Sequence, residues 1–542
     1  MPLSDTFDLH LAWRKTKRNL ADNQKVFIND PYIIDIIDRN KDEYLRNLSQ
    51  LIDNGYSPSE ARIVNTPKVN WNIRPASVLK IQDLTLYSAI VIDMYSNIRE
   101  EIEWSARDQR YSRILRDDID NAKWMVNSYT TWREYVEETQ RLLTEYDYVV
   151  TTDINSYFEN IGHRILDSKL KRVYNNQDSR ELLWDCLERW HRPKTRGLPQ
   201  GYYPSNILSE LYFDSIDRHL NQRDVHYVRY SDDLNMFCED KEEAIMALRT
   251  LIELYRDKGL YLNRKKTDIL SSEDAHEEFK DPRDRIKPIQ RKISSRIEKE
   301  RKRKRRDIKR QDKDSKDVDY ISEIETELPY TDGGEIKYSD MSNDEKVNVV
   351  ERSFNRYIMN GDSLNGSLFR FLIKRMGLLN SYYAVPYCIE QIKEGGPDIR
   401  RIVDKYFSNL ENNVEIANKL MDGILNGEIH YEFQKFVIIR WVFQAGIKND
   451  SILSGMRSLI GEKHKIPETR NYIIAYLGKY GEPTDIETIS NIYSNSTNEV
   501  RKAIILMAIR DMERSLRGTI YRQALSDHDY CDFSVRLAKE IT

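Results

Sequence analysis

The chain has 542 residues, of which 32% are charged and 39% hydrophobic, with a net charge of −4. That length suffices for two to four domains, each with its own core. No apolar run approaches the roughly 18 residues a membrane-spanning helix needs, so no membrane span is expected, and the near-neutral balance sends any search for a nucleic-acid partner to local clusters.

The first residues, Met-Pro-Leu-Ser-Asp-Thr-Phe-Asp, lack the basic and apolar regions of a signal peptide. Cys186, Cys238, Cys388 and Cys531 are scattered without metal-ligand spacing and read as reduced thiols. A soluble, cytoplasmic bacterial protein is expected.

The first chemically telling stretch is 146–161. Asp153 closes the β-branched run Val-Val-Thr-Thr, which places it at the end of a buried strand, and Ile154 can offer a backbone carbonyl beside it. A strand-end cap is the plainer reading of Asp153. In 196–217, Arg-Gly-Leu-Pro-Gln-Gly makes a tight loop that lets backbone approach a ligand. Ile207, Leu208, Leu211, Tyr212 and Ile216 then recur at helical spacing, predicting a helix over 205–217. The plainer reading is an ordinary loop capping an amphipathic helix, which leaves Gln200 unexplained.

Residues 227–237 carry apolar residues up to Tyr230-Ser-Asp-Asp233 and again beyond it, predicting a β-hairpin with an acidic turn. A solvated turn is the plain reading of Asp232 and Asp233. Paired carboxylates are costly to keep ionised unless a cation lies between them. An oxygen-only donor set suits Mg²⁺ or Mn²⁺ rather than zinc. Two-metal phosphoryl transfer needs carboxylates from separate strands around ions about 3.5–4 Å apart, which Asp153, Asp232 and Asp233 would supply. A helix is predicted over 242–258, then a loop entering a strand at 259–267. There Lys266 is either a solvated charge or a proton donor to departing pyrophosphate.

A basic run fills 291–313, with Arg301, Lys302, Arg303, Lys304, Arg305 and Arg306 at its centre, and acidic residues dominate 312–327. It is either a nucleic-acid contact or a solvated arm. From about 342 onward apolar residues recur at helical spacing. Stretches 466–481 and 498–510 share a theme in which Arg470 and Arg501 stand 31 residues apart, and 431–441 is a candidate earlier member. Stacked helix pairs in a solenoid are expected, against an irregular helical bundle.

In order and spacing these pieces resemble the palm of reverse transcriptases: motif A at 153–158, motif B at 198–205, motif C at 230–233 and motif D at 263–267. Trp71-Asn-Ile-Arg74-Pro-Ala-Ser-Val-Leu-Lys80 is similar to the fingers segment of that family. The resemblance implies that Arg74 and Lys80 contact the incoming triphosphate. It implies too that Phe158 is the aromatic gate against a 2′-hydroxyl, and that Gln200 and Gly201 line the nucleotide and template pocket. Leu-Pro-Gln-Gly with Ser-Asn-Ile-Leu-Ser-Glu-Leu-Tyr-Phe, and Arg110-Tyr-Ser-Arg-Ile-Leu-Arg upstream, are similar to the bacterial abortive-infection and unknown-group reverse transcriptases. That group implies a role in antiphage defence and a helical-repeat C-terminal domain, in some members with priming from a protein hydroxyl. With 34 tyrosines, the sequence singles out no priming residue. Nothing resembles RNase H, integrase, protease or maturase segments.

The expected fold is an α+β fingers–palm of right-hand polymerase type (1–285), a basic then acidic linker or arm (286–340), and an all-α HEAT-like repeat domain (341–542). The expected activity is DNA synthesis from dNTPs, with Asp153, Asp232, Asp233 and Lys266 as catalytic residues. Two Mg²⁺ ions, replaceable by Mn²⁺, would be held by the three aspartates and Ile154. Nucleic acid, a non-coding RNA and further copies of the chain are the expected partners. Two versions stand: RNA-templated synthesis, on a dedicated small RNA for example, or protein-primed, untemplated synthesis. The rival from another class is a nucleic-acid-binding assembly protein on a catalytically quiet palm.

Overall fold

The computed structural model describes residues 2–22, 28–68, 71–106, 108–191, 194–311, 338–361, 366–512, 514–524, 527 and 529–541. They fall into two compact units. The first comprises Met1–Phe279, Tyr431–Phe443 and Lys448–Thr542, and the second Lys280–His430 with Gln444–Ile447.

The first unit holds both sheets. β1 (Arg62–Pro67) and β2 (Ile73–Val78) form an antiparallel hairpin in which Thr66 faces Arg74. The second sheet has the order β4-β5-β3-β6, with β3 Tyr148–Thr152, β4 His226–Tyr230, β5 Asp233–Cys238 and β6 Asp268–Ser271, all antiparallel. The alternation of strand side chains explains the packing. Val149, Val228 and Phe237 join Tyr135, Val136, Leu142 and Leu143 in one core cluster against the sheet. The acidic hairpin is present as expected, and Asp153 follows directly on β3.

The helix expected over 205–217 runs Tyr203–Asn221, with Pro204 in its first turn, where a missing N–H costs nothing. It packs on the long helix Ile81–Ala106, whose Leu86, Tyr87, Ala89, Ile90 and Met94 are fully buried. The helix expected over 242–258 runs Lys241–Asp257, and the Asp240 side chain caps it by accepting the Glu243 N–H.

The units do not follow the expected divisions at 286 and 341. The stretch expected as a linker opens inside the helix Pro282–Gln311. Ile289, Ile293 and Ile297, one turn apart, are buried with Met341 and Val349 in the core of the second unit. Residues 301–306 continue that helix. The side chains of Arg301, Lys302, Lys304, Arg305 and Arg306, and the acidic residues 312–327, lie outside the described residues.

The remaining C-terminal stretch is divided between the units. Helices Pro467–Tyr480, Glu499–Ala508 and Asp529–Ile541 start 32 and 30 residues apart and pack side by side in the first unit. They are bound to its N-terminal part: Asn471 Nδ2 donates to Asp30 Oδ1 (2.6 Å), Asn47 Nδ2 to Asp529 Oδ2 (2.8 Å), and Arg536 pairs with Glu43 (2.9 Å). No described helix is long and apolar enough to cross a membrane, and the four cysteines are buried free thiols.

Candidate active site

The three aspartates meet at neighbouring strand ends. Thr152 pairs with Leu234, and Tyr230 with Asp233, so Asp153 and the Ser231-Asp232 turn emerge at the same edge of the sheet. Ser231 has φ 66, a conformation that suits two-residue hairpin turns but costs a non-glycine residue about 1–2 kcal/mol. The surroundings hold it there. Ser231 N–H donates to Ser112 Oγ, Arg229 Nη1 donates to the Ser231 carbonyl (2.9 Å), and Ser231 Oγ lies 2.8 Å from Asp232 Oδ1.

Asp153 is oriented by the loop after Leu260. The Asn263 amide N–H donates to the Asp153 carbonyl (2.8 Å), and Asn263 Nδ2 donates to Oδ2 of the same residue (2.8 Å). Lys266 Nζ reaches Asp153 Oδ1 at 3.1 Å. Ile154 bridges Leu262, but the bridge uses the carbonyls of Asp153 and Tyr261, so the Ile154 carbonyl takes no part in it.

Desolvation, then the charges of Asp232 and Asp153, push the Asp233 carboxyl well above the usual carboxylate range, and Lys266 only partly offsets this. Among the described residues no three His, Cys, Asp or Glu side chains form a ready cage for an ion. Asp153 is instead engaged by Lys266 and Asn263. The donor set nonetheless fits a hard divalent cation: three oxygen-donor carboxylates meet at one edge, and a cation among them would offset the charge that Asp232 and Asp153 place on Asp233.

Positive charge faces this edge. Lys68, at the end of the β1–β2 hairpin, is lowered by desolvation and then by Arg74 and Lys266, with Asp153 and Glu159 acting in the opposite direction. Arg74, Lys266 and Asp153 thus all act electrostatically on Lys68, and Lys266 contacts Asp153 directly. Sequence reasoning missed Lys68, because a lone lysine at a turn carries no signal. Lys80 is exposed at the other end of β2 and acts on Asp83.

Phe158 is buried on the short helix Tyr157–Asn160, and its carbonyl accepts the Leu198 N–H (2.9 Å), which ties it to the glycine loop. Gly197 needs its φ of 102, and a Cβ there would lie 2.3 Å from the His191 ring. Gln200 is half-buried in the following turn. Gly201, at φ 106, accepts a hydrogen bond from Asn19 Nδ2 (3.4 Å).

Beneath the acidic turn lies a buried ionic network absent from the sequence reading. Arg229, 1% exposed, donates from Nη2 and Nε to the two carboxylate oxygens of Asp217 (2.7 and 3.1 Å), and from Nη2 also to Glu210 (2.9 Å). Burial raises the proton affinity of Glu210, but Arg229, Arg113 and Arg110 outweigh it and keep the carboxyl below its ordinary range. The signal was present as Asp217 and Glu210 on the apolar face of a helix, where charge requires a partner.

Residues 66–315 match the reverse transcriptase (RNA-dependent DNA polymerase) family. YkfC of Escherichia coli is 24% identical over 180 residues, 32% of this chain and 44% of that protein. The COX1/OXI3 intron 2 protein of Saccharomyces cerevisiae is 23% identical over 188 residues, 33% of this chain and 20% of that protein. The chain thus matches less than half the length of either relative. Among solved structures, apo telomerase from Candida tropicalis aligns over 77% of this chain and 70% of its own, at 9% identity and a TM-score of 0.31. The chain carries a reverse transcriptase domain, distantly related to YkfC and to the yeast intron protein.

Proposed function

We propose that the protein is a DNA polymerase of reverse transcriptase type that joins dNTPs at the edge where Asp153, Asp232 and Asp233 meet. The observation that carries this reading is the meeting of three carboxylates at neighbouring strand ends, with Lys266 3.1 Å from Asp153, inside a domain of that family. Asp153, Asp232, Asp233 and the Ile154 carbonyl would hold two Mg²⁺ ions, whose chemistry when bound is to acidify the attacking hydroxyl and neutralise the leaving pyrophosphate. Lys68 and Arg74 bind the triphosphate and set its approach. Lys266 exchanges Asp153 for the departing pyrophosphate and supplies its proton. Phe158 blocks a 2′-hydroxyl, and Gln200 with Gly201 lines the base pocket. Lys80, which stands beside Asp83, has a weaker case for the triphosphate than Lys68.

The finer reading follows the resemblance to abortive-infection and unknown-group enzymes. It comprises antiphage defence, a HEAT-like stack after residue 430, nucleic-acid contact through 301–306 and assembly into oligomers. The near-even spacing of the three side-by-side C-terminal helices supports the repeat. Template use divides the reading. Loss of product after RNase treatment indicates an RNA template or cofactor, and DNA freed from phenol only after protease treatment indicates a protein primer. Asp232→Ala is expected to reduce dNTP incorporation by about 10³-fold or more. Full incorporation by that variant, or full antiphage protection by the variant lacking all three aspartates, would favour a catalytically quiet assembly protein.

A further inference from the structure

The segment 109–113 touches three parts of the site. The Arg229 N–H donates to the Gln109 carbonyl (2.8 Å) and the Tyr111 N–H to the Arg229 carbonyl (2.9 Å), so the segment runs along edge strand β4. Ser112 Oγ then accepts the Ser231 N–H of the acidic turn. Arg113 turns back with φ 54, and its Nη1 donates to Ser209 Oγ (2.8 Å) and Glu210 Oε1 (3.2 Å). Held in this way, its guanidinium carbon lies 5.1 Å from the centroid of the Phe158 ring.

We infer that Arg113 is a specificity-determining positioning residue: it fixes the ring of Phe158 and so sets how strongly the site rejects a 2′-hydroxyl. The inference rests on the polymerase reading and on Phe158 as the gate. A steric gate discriminates only if it does not yield, because a ring free to swing makes room for one more oxygen. The Phe158 backbone is fixed by Leu198, and its ring meets Tyr157 in an edge contact at 5.6 Å. The Tyr157 hydroxyl donates to the Ser209 carbonyl, so both neighbours of the ring are anchored on the same turn of the helix Tyr203–Asn221. The remaining support is the guanidinium, a planar cation suited to an aromatic face. Ser209 Oγ and Glu210 Oε1 together keep that cation from turning away, since doing so would break both hydrogen bonds, one of them to a carboxylate only 1% exposed. Lysine keeps the charge but lacks the flat face and the fork of donors.

The test compares dTTP with UTP in the full-length protein, with Mg²⁺, on poly(rA)/oligo(dT) and without template, for wild type, Arg113→Lys, Arg113→Ala and Phe158→Val. The dTTP/UTP ratio of kcat/KM is expected to fall about tenfold in both Arg113 variants, chiefly through a lower KM for UTP, and further in Phe158→Val. The ratio does not depend on how much of a sample is correctly folded, so a poorly folding Arg113→Ala does not obscure it. Arg113→Lys, with its cation still beside Glu210, provides a second reading. A wild-type ratio in both Arg113 variants, with a lowered ratio in Phe158→Val, overturns the inference. An unchanged ratio in Phe158→Val overturns the gate reading, and failure of the wild type to incorporate dTTP overturns the polymerase reading.

Discussion

Asp83 shows how burial alone changes a carboxylate. It lies in the first turn of the helix Ile81–Ala106 and is 1% exposed. Burial pushes its pKa up to about 6, against hydrogen bonds from the Tyr56 hydroxyl (3.0 Å) and the Ser59 N–H (3.3 Å). An acid whose folded pKa lies above its unfolded value binds protons preferentially in the fold. Its contribution to stability therefore falls as pH rises from about 4 to about 6 and is level above that. Asp83→Asn is expected to remove this slope, so its free energy of unfolding gains on that of wild type between about pH 4.5 and pH 7, by at most about 2–3 kcal/mol, read from denaturant melts at each pH. A constant difference across that range would contradict the assignment. The three carboxylates proposed as catalytic were legible at this scale because metal-assisted phosphoryl transfer demands those residue types at strand ends. Lys68, Asn263 and Arg113 were not. Their roles come from what the fold sets beside them, and nothing in a lone Lys, Asn or Arg announces it.

Between elements, the network under the acidic turn joins the helix Tyr203–Asn221 to β4. Arg229 holds Asp217 and Glu210 from below and the Ser231 carbonyl from beside, so one side chain serves both core and turn. Arg229→Met would leave two buried carboxylates short of a partner. It is expected to destabilise the protein by about 3–5 kcal/mol, read as the denaturation midpoint. Adding Asp217→Leu should restore part of that loss, because an apolar pair strands no charge. No recovery in the double variant would show that the arginine acts chiefly through Ser231. The elements themselves were readable wherever one period dominates, as in the β-branched run before Asp153 and the apolar spacing after Ser205. The helix Pro282–Gln311 was misjudged because its isoleucine stripe is thin among many charges. Composition suggested an arm where three buried isoleucines build a core.

For the molecule as a whole, the C-terminal helices of the first unit are part of its structural integrity. Arg62 of β1 pairs with Glu468, the Trp71 and Tyr431 rings stack at 6.1 Å, and the Tyr431 hydroxyl donates to the Trp71 carbonyl (3.1 Å). The hairpin that carries Lys68 and Arg74 is thus bound by residues some 360–400 positions later in the chain. A fragment ending at residue 285 is expected to be protease-sensitive or to aggregate, since it would expose the surfaces that the helices after 448 bury. A fragment melting like the full chain would contradict this division into units. The helical texture of the second half was legible in the sequence. Its division between two units was not, because docking across hundreds of residues leaves no periodic trace.

The most direct test of the central claim is incorporation of labelled dNTPs by the purified full-length protein with Mg²⁺, with and without poly(rA)/oligo(dT), in wild type and Asp232→Ala. The expected result is labelled product from the wild type, abolished by Asp232→Ala and by chelation of the metal. Equal product from both proteins, or none from either under every condition, would contradict a polymerase built on Asp153, Asp232 and Asp233.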